Sequence, residues 1–221
     1  MDSIAEWDRV YRAGKQLSVF PWSDVVSYVK RYVPIREKMR VLELGFGAGA
    51  NISFFRSLNA DYWGIEGSRC ITDKVKEAHP YYAEHLFCGN FFENELPEGS
   101  FDLILDRGST YASTEDRIIQ LFKRCRNKLT ANGILIGIDW FSTKHSDYNN
   151  PECEVVDELT RKNYRSGQFK DSGIVHFCDE KCIRERILAG YSIKVLEHKT
   201  SEMLFPEKKT CAMFNVMAVL K

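Results

Sequence analysis

Short apolar runs alternate with amphipathic segments along most of the chain. The apolar runs predict strands at 41–44, 61–65, 85–88, 101–105 and 133–138. The segments between them, at about 49–58, 69–78 and 114–128, have the apolar spacing that is typical of helices. Because strands that alternate with helices usually pair in parallel, the pattern predicts an α/β fold with a Rossmann-like, doubly wound sheet.

Both ends of the chain depart from this alternation. Residues 1–40 contain two helical faces and a loop at 18–22, which together predict a helical cap over the sheet. The runs 191–199 and 210–220 are strand-like with no helix between them, so we expect an antiparallel hairpin. A single domain spanning 1–221 is therefore expected.

Residues 140–178 are polar, aromatic and irregular, with one helix predicted near 152–163. They follow the strand 133–138 and begin at its carboxyl end, where ligands bind in such sheets. A stretch of this length without regular structure is usually functional. The segment is thus predicted to be an insert on the substrate side.

The charge balance argues against large polyanionic partners. Lys and Arg together number 31, as do Asp and Glu, so the formal net charge is zero. The longest nearly apolar run, 134–141, is far shorter than the ~20 residues that span a bilayer. The first residues lack the basic and apolar parts of a signal peptide. We expect no nucleic-acid or membrane partner and a cytoplasmic location.

The seven cysteines are scattered and odd in number, which favours a reducing compartment. His176, Cys178 and Cys182 are close enough in sequence to suggest a metal site. Zinc would need a fourth ligand, and no second Cys/His cluster supplies one. The sequence therefore predicts no metal, and ordinary thiols where a helix begins.

Three glycines at alternate positions, Gly45, Gly47 and Gly49, directly follow the first predicted strand. Glycine lets the backbone turn sharply and lie against a ligand. A strand, a glycine loop and a helix together predict a nucleotide-type site at the carboxyl edge of the sheet. The spacing Gly45-x-Gly47-x-x-Ala50 also fits the dinucleotide fingerprint, which alone is weak evidence.

Polar residues at the strand ends narrow the choice of nucleotide. Glu43 precedes the glycine loop, where it would repel a pyrophosphate but could accept a hydrogen bond from an amine. Glu66 ends the second strand and can take both ribose hydroxyls. Asn90 can hydrogen-bond an adenine edge, and Phe91 can pack on its ring. Asp106 ends the fourth strand, beside the expected reacting centre.

In this order, these features resemble the class I methyltransferases that use S-adenosylmethionine (SAM). Glu43-x-Gly45-x-Gly47-x-Gly49 matches their first motif, and Leu129–Leu135 is similar to their turn into strand five. The resemblance implies the sheet order 3-2-1-4-5-7-6, with strand 7 antiparallel. The expected cofactor-binding residues are Tyr11, Trp22, Glu43, Gly45, Gly47, Gly49, Asn51, Glu66, Gly67, Asn90, Phe91 and Asp106. Tyr11 and Trp22 could close over the amino-acid end of SAM or simply pack the cap.

Two further similarities concern the acceptor. Trp7-Asp8-x-x-Tyr11 is similar to the first segment of small-molecule methyltransferases of the tellurite-resistance and thiopurine type. The segments 139–143 and 167–169, together with 175–177, resemble a bacterial branch associated with surface-polysaccharide modification. The chain lacks the Pro-Pro motif of enzymes that methylate exocyclic amines, and the Pro-Cys pair of cytosine C5 methylation.

A neutral hydroxyl acceptor must lose a proton during methyl transfer, so a general base would help. The candidate bases are Asp106, Asp139, His145 and His176, and each could instead be a structural hydrogen-bonding group. The candidate substrate-binding residues are Arg107, Tyr111 and Trp140. A carboxylate or thiolate acceptor would need no base.

The leading hypothesis is a SAM-dependent methyltransferase that acts at oxygen on a small polar acceptor, a sugar or related metabolite. An NAD-dependent oxidoreductase or epimerase is one alternative, and a non-catalytic SAM-binding partner protein is another. The sequence is compatible with a monomer or a homodimer.

Overall fold

The computed structural model describes residues 3–170 and 172–221. A seven-stranded sheet with the order β3-β2-β1-β4-β5-β10-β9 forms its centre, which confirms the predicted order. The strands are β1 (Arg40–Leu44), β2 (Asp61–Glu66), β3 (Leu86–Cys88), β4 (Phe101–Arg107), β5 (Leu129–Phe141), β9 (Tyr191–Met203) and β10 (Lys209–Leu220). β1 to β5 are parallel, and β10 runs antiparallel to both of its neighbours.

Both faces of the parallel strands are buried, which explains their nearly continuous apolar sequences. Val41 and Leu103 pair across β1 and β4 and face one core layer, whereas Leu42 and Ile104 pair next to them and face the other. Helices cover both layers of the sheet. They are α1 (Ser3–Arg12), α2 (Ser23–Tyr32), α3 (Ile52–Ser57), α4 (Arg69–Ala78) and α5 (Glu115–Lys128).

The two helices predicted for the cap are present as α1 and α2, and α1 is fastened to the start of α4. Asp8 accepts hydrogen bonds from Ser68 Oγ at 2.6 Å and from the backbone N–H of Cys70 at 3.1 Å. These bonds and the adjacent Arg12 lower the pKa of Asp8 to about 2. α1 therefore lies over the ends of β1 and β2.

The helix predicted near 152–163 is wrong. The chain instead forms a small antiparallel sheet of β6 (Glu154–Val155), β7 (Thr160–Lys162) and β8 (Ile174–His176). The Asp157 carboxylate accepts a hydrogen bond from the backbone N–H of Leu159, which stabilises a turn between β6 and β7. Such local bonds compete with helix formation. Buried aromatic residues support this sheet, and a short π-helix (Cys182–Ile187) follows it.

In the part of the chain that the structure describes, no helix combines the length and apolar character needed to cross a membrane.

Candidate active site

A cavity opens at the carboxyl ends of β1, β2, β3 and β4. α1 and the loop between α1 and α2 form one of its walls, as expected for a cap. The predicted cofactor-binding residues that line it are Tyr11, Trp22, Glu43, Gly45, Gly47, Asn51, Glu66, Gly67, Asn90 and Phe91. The structure therefore brings together residues from four separate strand ends and from the cap.

Two of the three glycines form the cavity floor. Gly45 has φ +67°, and a Cβ atom there would overlap the side chain of Ser109. Gly47 has φ +52°, and its Cβ would lie 3.0 Å from the Tyr11 hydroxyl. Gly49 does not line the cavity, and its missing Cβ instead makes room for Ile52 and Val75. Gly49 therefore allows α3 and α4 to pack closely. It lies outside the cavity, although it was expected among the cofactor-binding residues.

Glu66 connects the glycine loop to the loop that follows β2. Its carboxylate accepts hydrogen bonds from the backbone N–H groups of Ser68, at 2.8 Å, and of Gly47, at 3.1 Å. The side chain is buried, and desolvation raises its pKa above the ordinary value. Glu66 lies on the cavity wall, and its carboxylate has further lone pairs. It can therefore accept hydrogen bonds from two neighbouring hydroxyl groups.

Glu43 belongs to a buried chain of hydrogen bonds that reaches the cap. Its carboxylate accepts from Asn51 Nδ2 at 2.8 Å and from the Tyr62 hydroxyl at 2.7 Å. Asn51 Oδ1 in turn accepts from the backbone N–H of Trp22 at 3.2 Å. Desolvation raises the pKa of Glu43 to about 7 despite these bonds. Asn51 therefore fixes the entry to α2 as well as facing the cavity.

The opposite end of the cavity is aromatic. Phe91 and Phe92 both line it, and their ring centroids lie 4.7 Å apart. The side-chain oxygen of Asn90 accepts from the backbone N–H of Phe92 at 3.0 Å, which holds the turn after β3. An aromatic wall with an adjacent amide is suited to a flat heterocycle such as adenine.

Arg107 lies on the remaining wall, at the end of β4. Its guanidinium stacks on Trp22, 3.5 Å from the ring centroid, and Nη2 lies 2.7 Å from Asp139 Oδ2. Arg107 Nε is buried, and no residue that the structure describes accepts a hydrogen bond from it. The predicted substrate-binding residue is therefore on the cavity wall, held between an aromatic ring and a carboxylate.

Residues 42–137 match the family model described as a methyltransferase domain. This segment runs from β1 into β5 and contains the glycine loop, Glu43, Glu66, Asn90 and Arg107. The matched segment is a methyltransferase domain, and the chain has the fold that SAM-dependent methyltransferases share.

Known methyltransferases are similar to the chain in sequence or in fold. A phosphoethanolamine N-methyltransferase of Plasmodium falciparum is 24% identical over an alignment of 188 residues that covers 80% of this chain and 70% of that protein. A SAM-dependent methyltransferase from Clostridium acetobutylicum has a TM-score of 0.63 at 17% identity, covering 97% of this chain and 96% of the other. The glycopeptide N-methyltransferase MtfA, solved with SAM, has a TM-score of 0.60 at 14% identity, covering 91% and 88%.

The residues on the cavity wall are suited to bind SAM, the predicted cofactor. Glu66 would hold the ribose, Asn90 and Phe91 the adenine, and Glu43 with Asn51 the amino-acid end. Side chains at Gly45 or Gly47 would fill the space that the cofactor needs. When bound, SAM supplies a methyl group on a sulfonium that is already activated for displacement. The match to a methyltransferase domain and the composition of the cavity wall both support SAM, the predicted cofactor, over NAD.

Asp106 and Trp140 lie behind the cavity wall of the methyltransferase, contrary to expectation. The Asp106 carboxylate is fully buried and accepts from Trp140 Nε1 at 2.7 Å, from the Thr110 hydroxyl at 2.6 Å and from the side chain of Ser109. Burial raises its pKa above the ordinary value. Trp140 packs in the core against Phe122. Both residues hold the loop after β4 in place, and neither lines the cavity.

The other proposed bases also lie away from the methyltransferase cavity. His145 Nδ1 accepts from the backbone N–H of Asp147, and Nε2 lies 3.2 Å from Gln168 Oε1. His176 is buried, and desolvation lowers its pKa to about 4. Asp139 is near the cavity only through its ion pair with Arg107.

The predicted substrate residue Tyr111 also lies elsewhere, with its ring packed edge-on against Phe141 at 4.7 Å. It lines a smaller cavity near His176 instead.

Sequence reasoning missed several residues of the cavity wall. They are Ile4, Trp7, Gln16, Ser18, Ala48, Phe92, Gly108, Ser109 and Ala112. Ile4 and Trp7 could have been found, because they share one helical face with Tyr11. Gln16 and Ser18 lie in an irregular loop, which carries no periodic signal.

Proposed function

We propose that this methyltransferase transfers the methyl group of SAM to a carboxylate oxygen of a small polar acceptor, a sugar acid or a related metabolite. One observation carries the proposal. Among the described residues that line the cavity, Arg107 is the only one with a cationic side chain.

Arg107 is prepared to bind an anion. Asp139 and Trp22 hold its guanidinium in one orientation, so little rotational freedom is lost when an acceptor binds. Its buried Nε has no acceptor in the described protein, and a bound carboxylate would supply one. Leaving a buried donor without a partner costs about 1–3 kcal/mol, which the acceptor would recover.

The composition of the wall also favours an acceptor that is already ionised. The described residues lining the cavity include no histidine, and its only acids, Glu43 and Glu66, are engaged in the hydrogen bonds given above. A hydroxyl acceptor would need a base to take its proton, whereas a carboxylate oxygen would not. Methyl transfer to a carboxylate therefore requires only positioning and exclusion of water.

The relative from Plasmodium falciparum supports a second candidate, an amine that carries a phosphate group. That protein is by name a phosphoethanolamine N-methyltransferase. The phosphate of such a molecule would pair with Arg107 as a carboxylate does. The two candidates differ in the atom that is methylated, so the product distinguishes them.

The test measures release of S-adenosylhomocysteine with glucuronate, glucose and phosphoethanolamine as acceptors. We expect glucuronate to yield a methyl ester, and glucose to be inert. Arg107→Gln should raise the KM for glucuronate by about tenfold or more, because a charge-assisted hydrogen bond is lost, while the Kd of SAM stays unchanged. Arg31→Gln, on the exposed surface of α2, is the matched control.

Methylation of glucose at the rate of glucuronate would refute the role of the carboxylate. An unchanged acceptor KM in Arg107→Gln would refute the role of the arginine. A methylated amine from phosphoethanolamine, with no product from glucuronate, would establish the second candidate instead.

A further inference from the structure

Three metal-binding side chains meet outside the cofactor cavity, between the small sheet and α5. His176 ends β8, Cys178 follows two residues later, and Cys182 begins the π-helix. Their ligand atoms all lie within 4.8 Å of one another. All three residues are buried, at 1%, 4% and 0% exposure. The methyl-transfer site uses none of them.

The distance between His176 and Cys182 is close to that between two ligands of a tetrahedral zinc site. With Zn–S bonds of about 2.3 Å and Zn–N bonds of about 2.0–2.1 Å, sulfur and nitrogen ligands are separated by roughly 3.6 Å. His176 Nε2 lies 3.8 Å from Cys182 Sγ. The other ring nitrogen, Nδ1, lies 3.1 Å from the hydroxyl of Thr160. When Nδ1–H donates to this hydroxyl, Nε2 presents its lone pair to the metal, as ligating histidines usually do.

α5 brings a carboxylate next to Cys182, which makes it the candidate for the fourth ligand that the sequence does not reveal. Glu115 Oε2 lies 3.7 Å from Cys182 Sγ, on the first turn of the helix. The second carboxylate oxygen, Oε1, is held by Arg186 Nη1 at 3.1 Å. Glu115 is therefore oriented with one oxygen toward the thiol and the other toward a cation.

We propose that His176, Cys178, Cys182 and Glu115 bind one structural Zn²⁺ ion. Two thiolates, one carboxylate and the divalent ion leave a single negative charge, which Arg186 balances. Four protein ligands fill the tetrahedral coordination, so the site has no open position for a substrate.

The zinc site would connect the insert to the domain core near the acceptor side. The backbone N–H of His176 donates to the carbonyl of Tyr111 at 2.8 Å, in the loop between β4 and α5. Cys178 forms a β-bridge with Ser142, just after β5. A metal at this junction would add to these backbone contacts and stabilise the position of both segments.

The first experiment measures zinc in protein purified without chelator from zinc-supplemented cells. We expect one zinc per chain by mass spectrometry, and loss of the metal in Cys182→Ser. Cys211→Ser, a thiol outside the cluster, should keep its zinc and is the matched control. Thr160→Val should weaken zinc binding about 10- to 100-fold, because it removes the partner that orients His176.

Misfolding of Cys182→Ser is separated from metal loss by two further measurements, one on the wild-type protein and one on a variant that keeps the histidine and both cysteines. In the wild-type protein, a chelator should lower the Tm, and added zinc but not magnesium should restore it. Glu115→Gln should release zinc to the chelator about tenfold faster than the wild type.

Three results would overturn the proposal. One is a wild-type protein without zinc whose Tm does not respond to added zinc. The second is an unchanged release rate in Glu115→Gln. The third is a Cys178–Cys182 disulfide found by mass spectrometry in the freshly purified protein.

Discussion

Replacing Glu43 with glutamine should change how the stability of the protein depends on pH. Burial raises the pKa of Glu43 to about 7, from an ordinary value of 4.5. The folded protein therefore retains a proton that the unfolded chain releases between these two values. Because the folded state binds more protons in this interval, the free energy of unfolding falls as the pH rises from 4.5 to 7.

The size of the effect follows from the two pKa values. At about 1.4 kcal/mol for each pH unit between them, ionised Glu43 costs the folded protein roughly 3 kcal/mol above pH 7. Glutamine has the shape and neutrality of the protonated acid, so Glu43→Gln should match the wild type to within about 1 kcal/mol near pH 5. At pH 8 the variant should be more stable by roughly 2–3 kcal/mol.

Urea denaturation followed by tryptophan fluorescence, without SAM, measures this difference at pH 5, 6, 7 and 8. Glu84→Gln, at an exposed position, is the control and should follow the wild type throughout. If the difference in the free energy of unfolding between wild type and Glu43→Gln stays constant from pH 5 to pH 8, the reasoning is refuted. A carboxylate that lowers stability on the wall of a cofactor cavity is typical of a functional group.

Three further variants test the site. Glu66→Ala should abolish SAM binding in calorimetry, and unchanged affinity would remove Glu66 from the cofactor site. Gly45→Ala should weaken SAM binding at least about tenfold, because its Cβ overlaps Ser109 and its φ is positive; a normal Kd would show that the loop can move. Asp106→Asn should lower the free energy of unfolding by about 1–3 kcal/mol, since an amide donor then faces Trp140. An unfolding midpoint equal to that of the wild type would contradict this.

Local sequence determines where the glycine loop and Glu66 lie in the fold. The glycine loop follows directly on β1, and Glu66 ends β2, so both lie at the carboxyl edge once the strands pair in parallel. Amphipathic spacing also placed Tyr11 on the buried face of α1.

The misplacement of Asp106 has a simple geometric cause. Side chains alternate between the two faces of a strand. Leu103 and Leu105 face the layer of α3 and α4, and Ile104 faces the layer of α5. Asp106 lies two residues after Ile104, so both side chains are on the same face of the sheet, and the Asp106 carboxylate points toward Trp140. The prediction used the position of Asp106 at the end of the strand and did not consider which face its side chain is on.

Long-range contacts place the remaining residues, and no local pattern encodes them. His145 and His176 depend on the packing of the insert, whose small sheet was predicted as a helix. Glu115 lies far from Cys182 in sequence, so their proximity appears only in the folded chain.

The position of β10 has a consequence for synthesis of the protein. This strand follows all the others in sequence, yet it pairs inside the sheet between β5 and β9. Until it emerges from the ribosome, the edge of β5 around Ile136 has no partner, and open apolar edges recruit other chains. A truncation that removes residues 209–220 should therefore aggregate during expression, although none of these residues touches the cofactor cavity.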